Sequence, residues 1–203
     1  MKKGKLLVLS GPSGAGKSTI SQRVAQESDI FLSISATTRK PREGEDENHY
    51  YFLTKEDFLT KIEEGAFLEY AQVYGQYYGT LRAPVLEMME KGKNVLLEID
   101  VQGSMQVKKA YDDCEMIFVL PPSLGELKKR LAARKSETEQ QYNLRMAKAL
   151  GEIEAALQYD YLIINEEIES AVTQLKQIIV SLDRKMKYYK DFIQTYIEEE
   201  KQT

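Results

Sequence analysis

The 203-residue chain is long enough for one α/β core carrying small inserted segments. Apolar residues make up 42% and charged residues 30%, and 28 Lys plus Arg against 32 Asp plus Glu leave a formal charge of −4, which argues against an extended nucleic-acid-binding face. The single cysteine, Cys114, excludes an internal disulfide, no Cys/His cluster offers a zinc site, and a reducing compartment fits best.

The apolar run behind Lys2, Lys3 and Lys5 ends at Ser10, shorter than the roughly 7–15 apolar residues of a signal peptide. No later stretch approaches the roughly 18 apolar residues of a membrane span. The expectation is a cytoplasmic protein engaging neither membrane nor nucleic acid.

Leu6–Leu9 reads as a buried strand, and "SGPSGAGKST" after it as a glycine-rich turn entering a helix from Ser18 onward. Gly11, Gly16, Lys17 and Ser18 fit the G-x-x-x-x-G-K-[ST] spacing. Gly11, Gly14 and Gly16 let successive N–H groups turn inward, and the helix N-terminus completes an anion site. Gly11, Pro12, Ser13, Gly14, Ala15, Gly16, Lys17, Ser18 and Thr19 are therefore the candidate triphosphate site. Lys17 would reach the β/γ-phosphates and the Ser18 hydroxyl would ligate Mg²⁺. The bland alternative, a glycine-rich turn that happens to hold Lys and Ser, does not explain the strand before it and the helix after it.

Further strand-like runs follow at Phe31–Ile34, Val95–Ile99, Met116–Leu120 and Tyr161–Ile164. Between them "APVLEMMEKG", bracketed by Pro84 and Gly92, reads as a helix. So do "VQGSMQVKKA", "PSLGELKKRLAARK" and the long "EEIESAVTQLKQIIVSLDRKMKYYKDF". This alternation predicts a mainly parallel sheet with crossover helices.

Two regions break the rhythm. Residues 35–82, rich in Tyr, charge and Gly, read as an inserted lobe with a small helix in "KEDFLTKIEEG" and short strands in "HYYFL", "FLEYAQV" and "YYGTL". Residues 124–150 read as a charged helix–turn–helix flap whose second helix starts at the capping box Ser136 to Glu139. The core is then 1–34, 83–123 and 151–203.

Arg39 and Arg42 flank Pro41 in a loop of the inserted lobe, where guanidinium forks suit a phosphate. Tyr50 and Tyr78 add hydroxyl donors. A merely solvated loop is the plainer alternative. His49 reads as a loop residue rather than a catalyst, and Cys114 as core filler.

"SGPSGAGKST", "SISATTRKPREGE", "FLEYAQVYGQYYGT", "LLEIDVQG", "PPSLGELKKRL" and "IINEE" occur in the order found in guanylate kinases, and the likeness runs from Leu6 to about Leu182. The resemblance implies an α/β P-loop nucleoside monophosphate kinase fold with a GMP-binding lobe and a helical lid. It implies transfer of the γ-phosphoryl group of ATP to GMP, with Mg²⁺ accompanying ATP. By the same resemblance Ser35, Glu69 and Thr80 contact guanine with Asp100 nearby, and Arg39, Arg42, Tyr50 and Tyr78 hold the GMP phosphate. Arg134 and Arg145 reach the ATP phosphates from the lid, and Asn165 lies beside the adenine. Lys17, Arg39, Arg134 and Arg145 are the candidate catalytic residues.

The chemistry of the base agrees. Guanine presents N1–H and N2–H₂ side by side, which one carboxylate such as Glu69 can accept, while O6 and N7 suit hydroxyl donors such as Ser35 and Thr80. Either Glu98 or Asp100, at the end of "VLLEID", would stand near Mg²⁺, and Asp100 would otherwise face GMP.

The chain departs from the family pattern twice. The "EGEDENHYY" loop is one residue short and lacks its central glycine, which leaves the choice between Tyr50 and Tyr51 to local alignment, and Lys135 stands where a glycine is usual. Two other readings compete. One is a catalytically dead scaffold domain, against which the intact Lys17 and Ser18 argue; the other is a sugar-phosphate kinase, against which Ser35, Glu69 and Thr80 argue.

Overall fold

The computed structural model describes residues 3–42, 44–45, 49–73, 75–132 and 139–200. In chain order the first elements are β1 (Leu6–Ser10), α1 (Lys17–Glu27), β2 (Ile30–Leu32), β3 (Ala36–Thr37) and β4 (Tyr51–Phe52). Next come α2 (Lys55–Glu63), β5 (Phe67–Val73), β6 (Gln76–Leu81), α3 (Arg82–Glu90), β7 (Asn94–Glu98) and α4 (Val101–Ala110). The last are β8 (Cys114–Leu120), α5 (Leu124–Ala132), α6 (Glu139–Glu154), β9 (Tyr161–Ile164), α7 (Ile168–Leu182) and α8 (Lys190–Glu200).

The central sheet runs β2-β7-β1-β8-β9, every neighbouring pair parallel. Its strands are almost wholly apolar because both faces are covered. Along β1, Leu7 and Leu9 point to one face and pack with Ile20 and Val24 of α1 and Leu175 of α7. Leu6 and Val8 point to the other and pack with Val85 and Met89 of α3 and Val107 of α4. The period of two splits one strand between two cores, and each buried Leu is worth about 1.5–3 kcal/mol. β1 lies where the chain order reverses, between β7 and β8, so the loops leaving β1, β7 and β9 meet at one edge of the sheet.

A second sheet, β4-β3-β6-β5, is built from residues 36–81 around Ala36, Phe58 and Phe67. The Phe58 ring stacks on Phe67 at 4.4 Å and on Tyr77 at 5.4 Å. Its β3 was not foreseen. Thr37 and Ala36 pair with β6 on one side and with only two residues of "HYYFL" on the other. Among the described residues no helix is long and apolar enough to cross a membrane.

The long final helix is a correction. It stops at Leu182, the chain passes through a short 3-10 turn at Met186–Tyr188, and α8 starts anew. Buried charge explains the break. Lys5 is 5% exposed and Glu115 3%, and neither can be left unpaired. Asp183 pairs with Lys5, Lys185 pairs with Glu115, and Lys187 reaches Asp113 at 2.5 Å and Glu115 at 3.2 Å. A continuous helix would carry these partners away from the sheet edge. At the other boundary, α6 continues to Glu154, past the expected end of the flap, while Ser136 of its expected capping box lies outside the described residues.

Candidate active site

The loop after β1 is held open by its own backbone. Gly16 has φ 91° and caps α1 without any side-chain bond, so the first N–H groups of the helix face outward as anion donors. A Cβ at Gly16 would stand 2.3 Å from Asn165 Nδ2, so only glycine fits. The Ala15 N–H closes a turn onto the Pro12 carbonyl at 3.1 Å. Lys17 Nζ donates to the Gly11 carbonyl at 2.6 Å and the Pro12 carbonyl at 3.2 Å. Burial lowers the Lys17 pKa, with Glu98, Glu152 and Asp100 opposing that shift. The ammonium rests on carbonyls that a phosphate would readily replace.

Glu98 and Asp100, two residues apart at the end of β7, serve different partners. Ser18 Oγ donates to Glu98 Oε1 at 2.5 Å and Ser21 Oγ to Glu98 Oε2 at 2.8 Å, so Glu98 belongs to the phosphate loop. Asp100 caps α4, accepting from the Gly103 N–H at 2.9 Å, and its other oxygen lies 3.6 Å from Lys148 of α6. Ser18 and Glu98 thus gather a hydroxyl and a carboxylate beside the loop, hard oxygen donors of the kind Mg²⁺ takes.

Across the edge of the sheet lies a cleft of about 270 Å³ lined by Ser35, Tyr50, Glu69, Tyr78, Glu98 and Asp100 among others. Glu69, on β5, is 7% exposed, and Thr80 Oγ1 donates to its Oε1 at 2.7 Å. Burial raises the Glu69 pKa to about 7, against the Thr80 bond and reinforced by Asp100. Thr80 itself is 1% exposed, and its hydroxyl is turned onto Glu69. A buried carboxylate demands such a donor. Tyr50 and Tyr78 stand edge to face at 6.4 Å. Tyr51 packs instead into the small core around Phe58, which separates the two tyrosines that alignment alone left ambiguous.

Arg39 stands beside Tyr50, one of the residues lining the cleft, and is already engaged. Its guanidinium forks onto Glu45 at 2.7 and 3.0 Å and stands 5.3 Å from the Tyr50 ring. Glu45 also accepts from the Arg42 backbone N–H at 2.8 Å. Arg39, followed by this backbone bond, holds the Glu45 carboxyl down to about 2. The Arg42 residue is exposed.

From the flap, α5 and α6 pack through Leu127, Leu131, Met146 and Ala149. Arg145 is half-buried on α6, and Arg134 lies outside the described residues. Arg130 of α5 ties the flap to the residue behind the loop, bonded to Glu126 at 2.9 Å and to the Asn165 carbonyl at 3.1 Å. Asn165, at the end of β9, is buried behind the loop and donates to the Ala15 carbonyl at 2.7 Å. Its amide is therefore occupied by the loop rather than turned toward open space. Glu45 and Gly103 were not singled out from sequence. For Gly103 alone a signal existed, a glycine inside a helical pattern.

The sequence model described as guanylate kinase matches residues 3–182. The chain belongs to the guanylate kinase family. It is 51% identical to a guanylate kinase of Clostridium acetobutylicum over 95% of this chain and 92% of that protein. With a guanylate kinase of Clostridioides difficile it shares 49% identity over 98% of each. A crystal structure of guanylate kinase from Anaplasma phagocytophilum superimposes with a TM-score of 0.74 at 33% identity, covering 91% of this chain and 89% of that one.

Proposed function

We propose that this protein phosphorylates GMP with ATP, giving GDP and ADP. One observation carries the reading: Glu69, a buried carboxylate, shares a cleft with Glu98, which is bonded to Ser18 of the phosphate loop. A guanine acceptor and a triphosphate donor site therefore adjoin.

In this reading ATP lies on Gly11 to Thr19, with Asn165 backing the loop. Guanine sits against Glu69, Ser35 and Asp100, with Thr80 orienting Glu69. Arg39, Arg42, Tyr50 and Tyr78 hold the GMP phosphate. That phosphate is largely ionised near neutral pH, since a second phosphate pKa lies at about 6, so no general base is required. One of its oxygens attacks the γ-phosphorus while the bond to the bridging oxygen of ADP breaks. Lys17, Arg145 and Arg134 stabilise the spreading negative charge. Mg²⁺, bound with ATP beside Ser18 and Glu98, would neutralise phosphate charge. Residues 35–82 act as the GMP-binding lobe and 124–150 as the lid, closing over the core at 1–34, 83–123 and 151–203 and excluding water.

The test is ADP release by the purified protein with ATP and Mg²⁺ against GMP, AMP, UMP, CMP and a hexose phosphate. GMP should exceed AMP in kcat/KM by about 10⁴-fold, the discrimination available to a site built to hydrogen-bond its substrate. Turnover of another acceptor in preference to GMP would overturn the reading.

A further inference from the structure

Gly103 is the third residue of α4 and is buried. A helix interior disfavours glycine relative to alanine, which orders at lower entropic cost. Its backbone is helical, so no left-handed conformation calls for it. Space does. A Cβ on Gly103 would stand 2.7 Å from Glu69 Oε2, 3.2 Å from its Cδ and 3.4 Å from its Cγ, and these are the three nearest atoms.

The carboxylate is thus clasped from both sides. Thr80 donates to Oε1 at 2.7 Å, and Oε2 lies against the bare backbone of α4. Nor is β5 free to back away. Gln106, three residues further along α4, donates to the carbonyl of Tyr70 at 3.0 Å and accepts from its N–H at 3.2 Å. Tyr70 is the next residue after Glu69, and the register shift between Phe67 and Glu69 places Glu69 opposite Thr80.

We propose that Gly103 is a positioning residue for base selection. Its missing side chain lets Glu69 lie flat on the first turn of α4 with the carboxylate at the cleft, and a larger residue there drives Glu69 off the purine edge. The inference rests on the reading of Glu69 as the guanine acceptor.

Steady-state kinetics with GMP and AMP test it on Gly103→Ala, Glu69→Ala and the double variant. Gly103→Ala should raise KM for GMP about tenfold or more, the cost of misplacing a charge-assisted hydrogen bond. KM for ATP and kcat/KM for AMP should stay near wild type. In the Glu69→Ala background the same substitution should leave KM for GMP unchanged, since the added methyl then has nothing to strike. If Gly103→Ala alone fails to fold, a folded double variant carries the same conclusion. An unfolded double variant overturns the proposal, as does Gly103→Ala with unchanged KM for GMP or with both KM values raised alike. Glu69→Ala distinguishes the two levels. A wild-type GMP/AMP ratio in that variant would overturn the reading of Glu69 itself, whereas a collapsed ratio there beside a normal Gly103→Ala sinks only the inference about Gly103.

Discussion

Asn165 donates its side-chain amide to the carbonyl of Ala15 at 2.7 Å, tying the end of β9 to the middle of the phosphate loop. The backbone carbonyl of the same residue accepts from Arg130 of α5 at 3.1 Å. One buried asparagine therefore sits between the loop and the flap. Its place behind the loop also explains why residue 16 must be glycine.

Asn165→Ala removes the donor from a buried carbonyl and should destabilise the protein by about 1–3 kcal/mol. The loop it supports should also hold ATP less well, so KM for ATP should rise while KM for GMP stays put. Urea unfolding and the two KM values check this. A variant with wild-type stability and wild-type KM for ATP would show that the loop stands without its backing.

Lys17→Ala should separate chemistry from folding. In the structure Nζ bonds only to the Gly11 and Pro12 carbonyls of its own loop among the contacts described, so little tertiary packing depends on it. Removing a group aimed at transition-state charge costs about 10²–10³ in kcat. The melting temperature should stay close to wild type while kcat falls on that scale. Wild-type turnover would exclude this loop as the catalytic one.

Glu45 holds the Arg39 fork where the acceptor phosphate is expected, and it also orders the Arg42 backbone. Glu45→Gln would keep the shape and lose the charge. Arg39 should then wander, and KM for GMP should rise by about 3–10-fold, the worth of a charge-assisted fork partly screened by water. KM for ATP should not move. A fall in KM for GMP would instead mark Glu45 as a competitor for Arg39.

Much of this arrangement was legible in the sequence because it is local. The apolar run of β1, the glycine spacing after it and the Pro84–Gly92 bracket each lie within a dozen residues or so. What escaped depends on partners far along the chain. The α7 break follows from Lys5, 178 residues before Asp183, and the Asn165–Ala15 bond spans 150. Glu98 and Asp100 share one strand end, and their different directions come from Ser18 on α1 and the cap of α4. Tyr50 and Tyr51 are neighbours in a shortened loop, and only the packing around Phe58 assigns Tyr51 to the small core. The resemblance places Thr80 against the base, and the structure adds a bond that spacing does not show, from its hydroxyl to the carboxylate of Glu69.

The pH dependence of GMP binding should follow Glu69. Burial lifts its pKa from 4.5 to about 7, so near neutrality the free protein holds a mixture of carboxylic acid and carboxylate. Guanine offers two donors and needs the carboxylate, so binding drives the proton off. The apparent Kd for GMP should therefore fall as pH rises from about 6 to 8 and level off above, with a limiting slope of about tenfold per unit below the free-state pKa. The GMP phosphate titrates near 6 as well, which makes Glu69→Gln the necessary comparison. That variant should bind GMP more weakly, lose the inflection near 7 and keep the one near 6. Stability runs the other way. A folded-state pKa raised above the unfolded value contributes stability that is full below about 4.5 and lost as pH rises through about 7. The shift corresponds to on the order of 3 kcal/mol, so the ligand-free protein should melt higher near pH 5 than its other charges alone would allow. Saturating GMP should reduce that difference. Calorimetric titrations of both proteins across this range settle the matter: if wild type and Glu69→Gln give superimposable pH profiles, the buried carboxylate does not read the base.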